Sequence, residues 1–358
     1  MTAPGRVNLI GEHIDYHGLA VLPMALRRCV RTRFRRRGDR RILAASAGYG
    51  RREFEWTSDL EPVAAGDWEN YLRAAAQVAR TFVADPAGVE IEIESDLPAA
   101  AGLASSSALL VAVALGLLRA NGYNPEFEEL MEVLPDGEQF VGTRGGGMDH
   151  AAALASRAGC ASLVEFEPVR VRHIPIPADW GFVVAHSGVR AEKSGAAREA
   201  YNARRRGGTA ALARLGLRSY REAHPEDAAR LAVPEEHDAF LHTTTEAVRV
   251  RAAAAAMEAG DLEGFGKLLL ESHASLRDRL RVSRPELDRL VERAMKAGAA
   301  GARLTGAGFG GCVVIACERR RGGAICEALP GAFAGEAGDG ALRQWQGRCR
   351  GYSSGRPR

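Results

Sequence analysis

Apolar and polar positions change period several times along this 358-residue chain. Residues 6–10 carry Val7, Leu9 and Ile10, and residues 20–34 open on Ala20-Val21-Leu22-Pro23-Met24-Ala25-Leu26, which predicts two strands flanking a polar loop. Glu90-Ile91-Glu92-Ile93-Glu94-Ser95 alternates strictly, the pattern of a half-buried strand, and Asp96 and Pro98 end it. Small residues follow. From Ser106 onward Leu109, Leu110, Val113, Leu117 and Leu118 recur at helical spacing, so a helix begins at the serines. Between Glu165 and Pro177 two short β-like runs are broken by three prolines, a candidate boundary. Beyond it, 179–186 predicts a strand, 196–214 and 239–300 predict Ala-rich helices, and 299–317 predicts strand, glycine turn, strand. No internal repeat is evident. The pattern alone describes an α/β or α+β protein with two lobes.

Length permits two domains of ordinary size. The net charge of +3 gives no electrostatic case for nucleic acid. Arg27 to Arg37 is rich in arginine, but Val30, Thr32 and Phe34 alternate with the charges, which predicts a strand with one solvated face. Six cysteines form no Cys-x-x-Cys pair, so neither a zinc knuckle nor a redox motif is indicated. No charged-then-apolar leader precedes Ala3, and the longest apolar stretch, Leu109 to Leu118, is too short for a bilayer. A soluble, reduced, cytoplasmic protein is expected, monomeric and without membrane or nucleic-acid partners.

The densest chemistry lies in Gly5-Arg6-Val7-Asn8-Leu9-Ile10-Gly11-Glu12-His13-Ile14-Asp15-Tyr16-His17-Gly18. Charged groups pressed against core-forming runs are usually paired or functional, and carboxylates with an imidazole suit a polyhydroxylated ligand. The Gly-Glu-His-x-Asp-Tyr core resembles the first motif of galactokinases, a branch of the GHMP family of small-molecule kinases. Four further segments resemble that family in order. Pro98 to Ala108, with Gly102-Leu103-Ala104-Ser105-Ser106-Ser107-Ala108, is similar to the phosphate-binding motif. Gly145-Gly146-Gly147-Met148-Asp149-His150 is similar to the Gly-x-Met-Asp-Gln element, Glu271 to Asp278 to a further galactokinase segment, and Leu304 to Cys312 to the third motif.

The resemblance implies an α+β, two-lobed GHMP kinase. Its N-terminal domain, 1–166, would resemble ribosomal protein S5 domain 2, and its C-terminal domain, 167–358, would be ferredoxin-like, with the site between them. It implies ATP-dependent phosphorylation of the anomeric C1 hydroxyl of α-D-galactose, with ATP and Mg2+. Asp149 would be the general base, and Arg6 would restrain it and neutralise charge on the transferred group. Glu12, His13, Asp15 and Tyr201, the last in a Tyr-Asn-x-Arg-Arg element, would contact the sugar. Gly102, Leu103, Ser105, Ser106 and Ser107 would cradle phosphates at a helix start, with Trp68 against adenine. Ser106 and Glu138 would hold magnesium. The position of Glu138 relative to Phe140-Val141-Gly142 resembles the branch of plant and yeast galactokinases and animal N-acetylgalactosamine kinase. His150 in place of Gln and the tail Gly347 to Arg358 depart from the family pattern.

Local readings compete with these roles. Ser105 to Ser107 alone suits an ordinary N-cap, Asp149 after glycines a turn, Arg6 a structural ion pair, and Trp68 a packed core residue. Gly306 to Gly311 contains Gly-x-Gly-x-x-Gly, but a strand follows it where a dinucleotide site needs a helix. His13 and His17 are four apart, but Gly11 and Gly18 argue against the helix a zinc pair would need. No Walker A sequence is present. N-acetylgalactosamine kinase activity, or a non-catalytic galactose- and ATP-binding sensor, are the alternatives within the family.

Overall fold

The polar loop of residues 11–18 does lie between two strands, Thr2–Ile10 (β1) and Leu22–Arg36 (β2), which pair antiparallel. The computed structural model describes residues 1–98, 101–142, 145–191 and 195–342; Ala99 and Ala100 of the second motif and the tail Gly347 to Arg358 lie outside them. Arg41–Ser46 (β3), Gly50–Glu55 (β4) and Val89–Ser95 (β5) complete a sheet ordered β1-β2-β5-β3-β4, in which only β3 and β5 run parallel. The arginine-rich strand behaves as its alternation predicts. Arg31, Arg33 and Arg35 sit opposite Glu94, Glu92 and Glu90, while Thr32 and Phe34 face Ile93 and Ile91. Cross-strand pairs of opposite charge favour this register, so these arginines are matched by carboxylates on their own sheet.

One face of the sheet is covered by Glu69–Arg80 (α1), Ser105–Ala120 (α2), Phe127–Gly137 (α3) and Met148–Ala155 (α4). α2 is apolar almost all round, with Leu110, Val111, Val113, Leu117 and Leu118 all buried, as befits a helix enclosed by its neighbours. Cys160–Glu165 (β6) and Arg170–Pro175 (β7) form a hairpin beside β2, joined to it by the bridge of Val21 with Val164.

The second lobe runs Trp180–His186 (β8), Gly195–Leu215 (α5), Pro234–Ala259 (α6), Leu262–Asp278 (α7), Pro285–Lys296 (α8), Gly301–Thr305 (β9), Cys312–Glu318 (β10), Gly322–Ala328 (α9) and Phe333–Ala334 (β11). Its antiparallel sheet has the order β11-β8-β10-β9. With helices between β8 and β9 and between β10 and β11, that is the ferredoxin-like βαββαβ arrangement. The long helical stretch expected over 239–300 is three helices. Gly260 ends α6 in the left-handed conformation, Asp261 caps α7 by accepting from the Gly264 N–H at 2.9 Å, and Pro285 starts α8.

The lobes meet where β1 crosses β9. Arg303, wholly buried, donates through Nη1 to the Asn8 and Leu9 carbonyls at 3.0 and 3.1 Å and stands 3.7 Å from Glu12. Thr305 Oγ1 both accepts from the Asn8 N–H and donates to its carbonyl, at 3.0 and 3.1 Å. Beside them Glu246, on α6, accepts from the Gly11 N–H and the Ser272 hydroxyl and pairs with Arg249 at 2.7 Å. Burial opposes the Glu246 charge, but Arg249, His242 and Arg303 outweigh it and hold the carboxyl below its ordinary range.

Removing one member of such a buried set leaves its partners uncompensated. Arg303→Met should lower unfolding stability by about 3–5 kcal/mol, seen in denaturant melts. A variant as stable as the parent would show that the arginine is dispensable to the interlobe contact.

Candidate active site

A cavity of about 610 Å³ lies between the lobes, walled by the first-motif loop, the start of α2, the turn into α4, the first half of α5 and the glycine turn after β9. It gathers Arg6, Glu12, His13, Asp15, Gly102, Leu103, Ser105, Ser106, Glu138, Asp149 and Tyr201 from segments nearly two hundred residues apart. Close backbone contact holds these walls together. A Cβ on Gly306, whose φ is +87°, would stand 2.9 Å from the Gly102 carbonyl oxygen, and one on Gly146 would fall 2.2 Å from the Asp15 carbonyl carbon.

At the centre Arg6 Nη2 meets Asp149 Oδ1 at 2.5 Å, and Arg6 Nη1 donates to the Gly102 carbonyl at 2.8 Å. Burial works against the Arg6 charge, but Asp149, Glu12 and Asp15 reverse its effect and raise the guanidinium above its ordinary value. Its Nε–H is buried and has no acceptor among the described residues. Asp149 opens α4, placed by the left-handed Gly147 before it. The Ser107 hydroxyl donates to Glu138 Oε1 at 2.5 Å and lies 3.5 Å from Asp149 Oδ2, so two carboxylates converge on one hydroxyl. His150 is buried behind them with Nε2 3.9 Å from Glu138 Oε1. Carboxylate and hydroxyl oxygens suit magnesium, which takes few protein ligands when phosphates supply the rest.

α2 begins at Ala104, which is left-handed at φ 57° and makes no side-chain cap. The first N–H groups of α2 therefore face the cavity without a capping side chain, the arrangement that binds anions at helix starts. Ser105 and Ser106 line the cavity, whereas Ser107 is wholly buried beneath it against Glu138.

At the other end, Asp15 Oδ2 accepts the Gly146 N–H at 3.0 Å. His13 Nε2 reaches the Ala307 carbonyl at 3.0 Å and Nδ1 the Tyr16 hydroxyl at 2.9 Å. A carbonyl only accepts, so His13 carries its proton on Nε2 and accepts from Tyr16. Burial keeps it neutral, with its pKa lowered to about 3. Glu12 Oε1 accepts the Gly306 N–H at 2.6 Å, and burial raises this carboxyl against the pull of Arg303 and Arg6. Tyr201 packs 5.3 Å from the His13 ring, its phenol held protonated first by burial and then by Asp15.

Trp68, expected against adenine, is not among the residues that line this cavity. Its indole N–H donates to the Tyr49 carbonyl and Arg52 lies over its ring, so the side chain packs on the outside of the loop and does not line the cavity. Asn70 and Tyr71, from the same segment, do line it. Asn70 accepts the Val63 N–H and donates to the Val63 and Ala64 carbonyls, which fixes the 62–67 loop as the cavity's outer wall.

Three family models match the chain: the galactokinase galactose-binding signature over residues 1–36, the GHMP kinases N terminal domain over 70–157 and the GHMP kinases C terminal domain over 253–335. The galactokinase of Roseiflexus sp. (strain RS-1) is 39% identical over 327 residues, covering 88% of this chain and 83% of that protein. This chain belongs to the galactokinase family. A galactokinase of Streptomyces coelicolor is 34% identical over 93% of this chain and 88% of its own length. The crystal structure of Lactococcus lactis galactokinase complexed with galactose superposes with a TM-score of 0.88 at 28% identity, covering 95% of this chain and 93% of that one. Methanococcus jannaschii mevalonate kinase, at 17% identity and a TM-score of 0.67, shares the fold. The two lobes are those of the GHMP kinase fold.

For this galactokinase-family chain, motif reading overlooked Arg303, His242 and Glu246, which lie one step behind the sugar end. Arg303 had a visible signal, a lone charge in the apolar run Ala302-Arg303-Leu304. His242, on α6, had none, because its partners, the Glu12 carbonyl and Ser275, are distant in sequence.

Asp15 is held up at about 6, first by burial and then by Asp149 and Glu12. A raised carboxyl contributes stability below its unfolded value of 3.8, and that contribution is lost as pH rises through the folded value. In the absence of sugar, Asp15→Asn should therefore be more stable than the parent above about pH 7, by on the order of 1–2 kcal/mol, with the gain gone near about pH 4. Thermal melts across that range test it; a variant less stable at neutral pH would mean that the charge is fully compensated in the fold.

Proposed function

We propose that this chain transfers the γ-phosphoryl group of ATP to the C1 hydroxyl of α-D-galactose. The observation that carries this reading is the Arg6–Asp149 pair facing the uncapped start of α2 across one cavity, inside a chain that bears the galactose-binding signature. The N–H groups of α2 and the Gly102 turn hold the phosphates. Ser106 and Glu138 would hold magnesium, which would supply charge neutralisation for the phosphates. Asp149 accepts the C1 hydroxyl proton as the oxygen attacks phosphorus. Arg6 aims Asp149 through their ion pair, and its guanidinium charge offsets the charge on the moving group.

Glu12, His13, Asp15 and Tyr201 form the sugar pocket. Asp15, with Oδ2 on Gly146, offers Oδ1 to a ring hydroxyl, and Tyr201 offers its phenol. Both nitrogens of His13 are engaged by the protein, so it serves as a neutral wall that fixes Tyr16 and Tyr201. Ligand hydroxyls matched by buried polar groups give strong discrimination, since an epimer strands one partner. The reading extends to residues 1–166 as one lobe and 167–358 as the other, with the β6–β7 hairpin at the joint. It also extends to a monomeric cytoplasmic enzyme. The arginine strand matched by glutamates, and helices among the described residues none of which could cross a membrane, favour neither nucleic acid nor bilayer as partner.

ADP release on mixing with galactose and ATP, dependent on magnesium, is the expected behaviour. Asp149→Asn should lower turnover by about 100-fold or more while leaving galactose affinity nearly unchanged. Near-normal turnover in that variant would make Asp149 a helix cap and remove it from the chemistry. In parallel, galactose should exceed N-acetylgalactosamine in kcat/KM; the reverse order would replace the sugar while keeping the phosphoryl transfer.

A further inference from the structure

α5 lines the cavity with Ala197 and with two side chains that carry polar groups, Tyr201 and, one turn earlier, Arg198. Residues three apart on a helix share a face. Tyr201 marks what that face looks upon, since Asp15, Glu138 and Asp149 are the carboxylates that act on its phenol. Arg198 lies against Gly142, just past the 3-10 turn Glu138–Val141 that bears Glu138. A Cβ at Gly142 would stand 2.5 Å from Arg198 Nη1, so the glycine makes the seat for the guanidinium.

Several charges of the cavity are already paired. Arg6 is bound to Asp149, Glu12 faces Arg303, and Asp67 is paired with Arg52. Arg198 lines the same cavity and makes no hydrogen bond or ion pair to any described residue. A guanidinium carries five donors in a planar fork that matches phosphate oxygens. In a cleft this rich in carboxylates, a second cation is what an incoming triphosphate requires.

We propose that Arg198 is a catalytic residue: its guanidinium donates to the non-bridging oxygens of the transferred γ-phosphoryl group from the α5 side, while Arg6 does so from the β1 side. This rests on the galactose phosphorylation reading. As the phosphorus–oxygen bond to ADP breaks, its electron pair leaves with ADP. The new bond forms from the C1 oxygen, whose proton passes to Asp149, and the charge carried by the phosphoryl oxygens between these events lies between two arginines supplied by different lobes.

The test is steady-state kinetics on the full chain with galactose and magnesium-ATP, beside galactose titrations without nucleotide. Arg198→Ala should lose about 10- to 100-fold in kcat with galactose affinity unchanged. Arg198→Lys should recover part of the loss, and millimolar guanidinium ion should raise the turnover of Arg198→Ala. The same ion should leave the parent and Arg206→Ala unchanged; Arg206 is exposed on the same helix and paired with Glu199. Full turnover in Arg198→Ala, or a loss that guanidinium ion does not relieve and that Arg198→Lys shares, would overturn the proposal. A parent protein that binds galactose but releases no ADP would instead overturn the reading on which it rests.

Discussion

Arg303 brings a positive charge wholly out of contact with solvent, with Nη1 bonded and Nε and Nη2 without a partner among the described residues, and the arrangement of both lobes follows from how that charge is held. Its donors hold the last carbonyls of β1, and its charge lies between Glu12 on one side and Glu246 on the other. A buried ion set of this kind stabilises little relative to apolar packing, but it penalises misalignment heavily, because any displaced partner is left charged and unsolvated. It therefore fixes the register of β1 against β9. The first-motif loop grows from the end of β1 and the glycine turn from the end of β9, so fixing that register fixes the sugar end of the cavity.

The remaining walls are set by backbone contact. Gly306 rests on the Gly102 carbonyl and Gly146 on the backbone of Asp15, distances that no side chain permits. The α2 start, the Asp149 turn and the third-motif turn thus interlock, and Arg6 ties two of them by bonding both Gly102 and Asp149. Arg6 stands beside Asp149 in this cleft, and Asp15 is shifted upward first by burial and then by the charges of Asp149 and Glu12. Such a site holds charge ready for a ligand at a cost in stability, as functional clusters commonly do.

Much of this was legible in the chain. The alternation of Glu90 to Ser95 and of Arg27 to Arg37 gave two central strands, though not that they pair with arginine opposite glutamate, and the apolar run after Ser106 gave α2 with the phosphate loop at its head. β3 and β4 were not legible: Arg41–Ser46 is an interior strand of six residues whose buried run Ile42-Leu43-Ala44 shows no alternation, and Gly50–Glu55 is the edge strand, mostly charged and exposed. The breaks within 239–300 were not placed because apolar positions recur at helical spacing on both sides of Gly260 and Asp261, whose capping role is a short local signal. Trp68 shows a different limit. The Trp68–Tyr71 segment was recognisable, but which of its side chains turns inward depends on Tyr49 and Arg52, a strand away. Of the buried partners of Glu12, Arg303 shows in the sequence only as a lone charge in an apolar run and His242 not at all, because the counterpart of each lies more than two hundred positions off.

The central claim is that this cleft joins phosphorus to the C1 oxygen of galactose. Phosphorus NMR of the product made from galactose carrying a heavy carbon label at C1 tests that bond directly. The account predicts a sugar phosphate resonance split by the labelled carbon, formed in step with ADP and in the α configuration. A phosphorylated sugar without that splitting, or ADP released with free phosphate only, would contradict it.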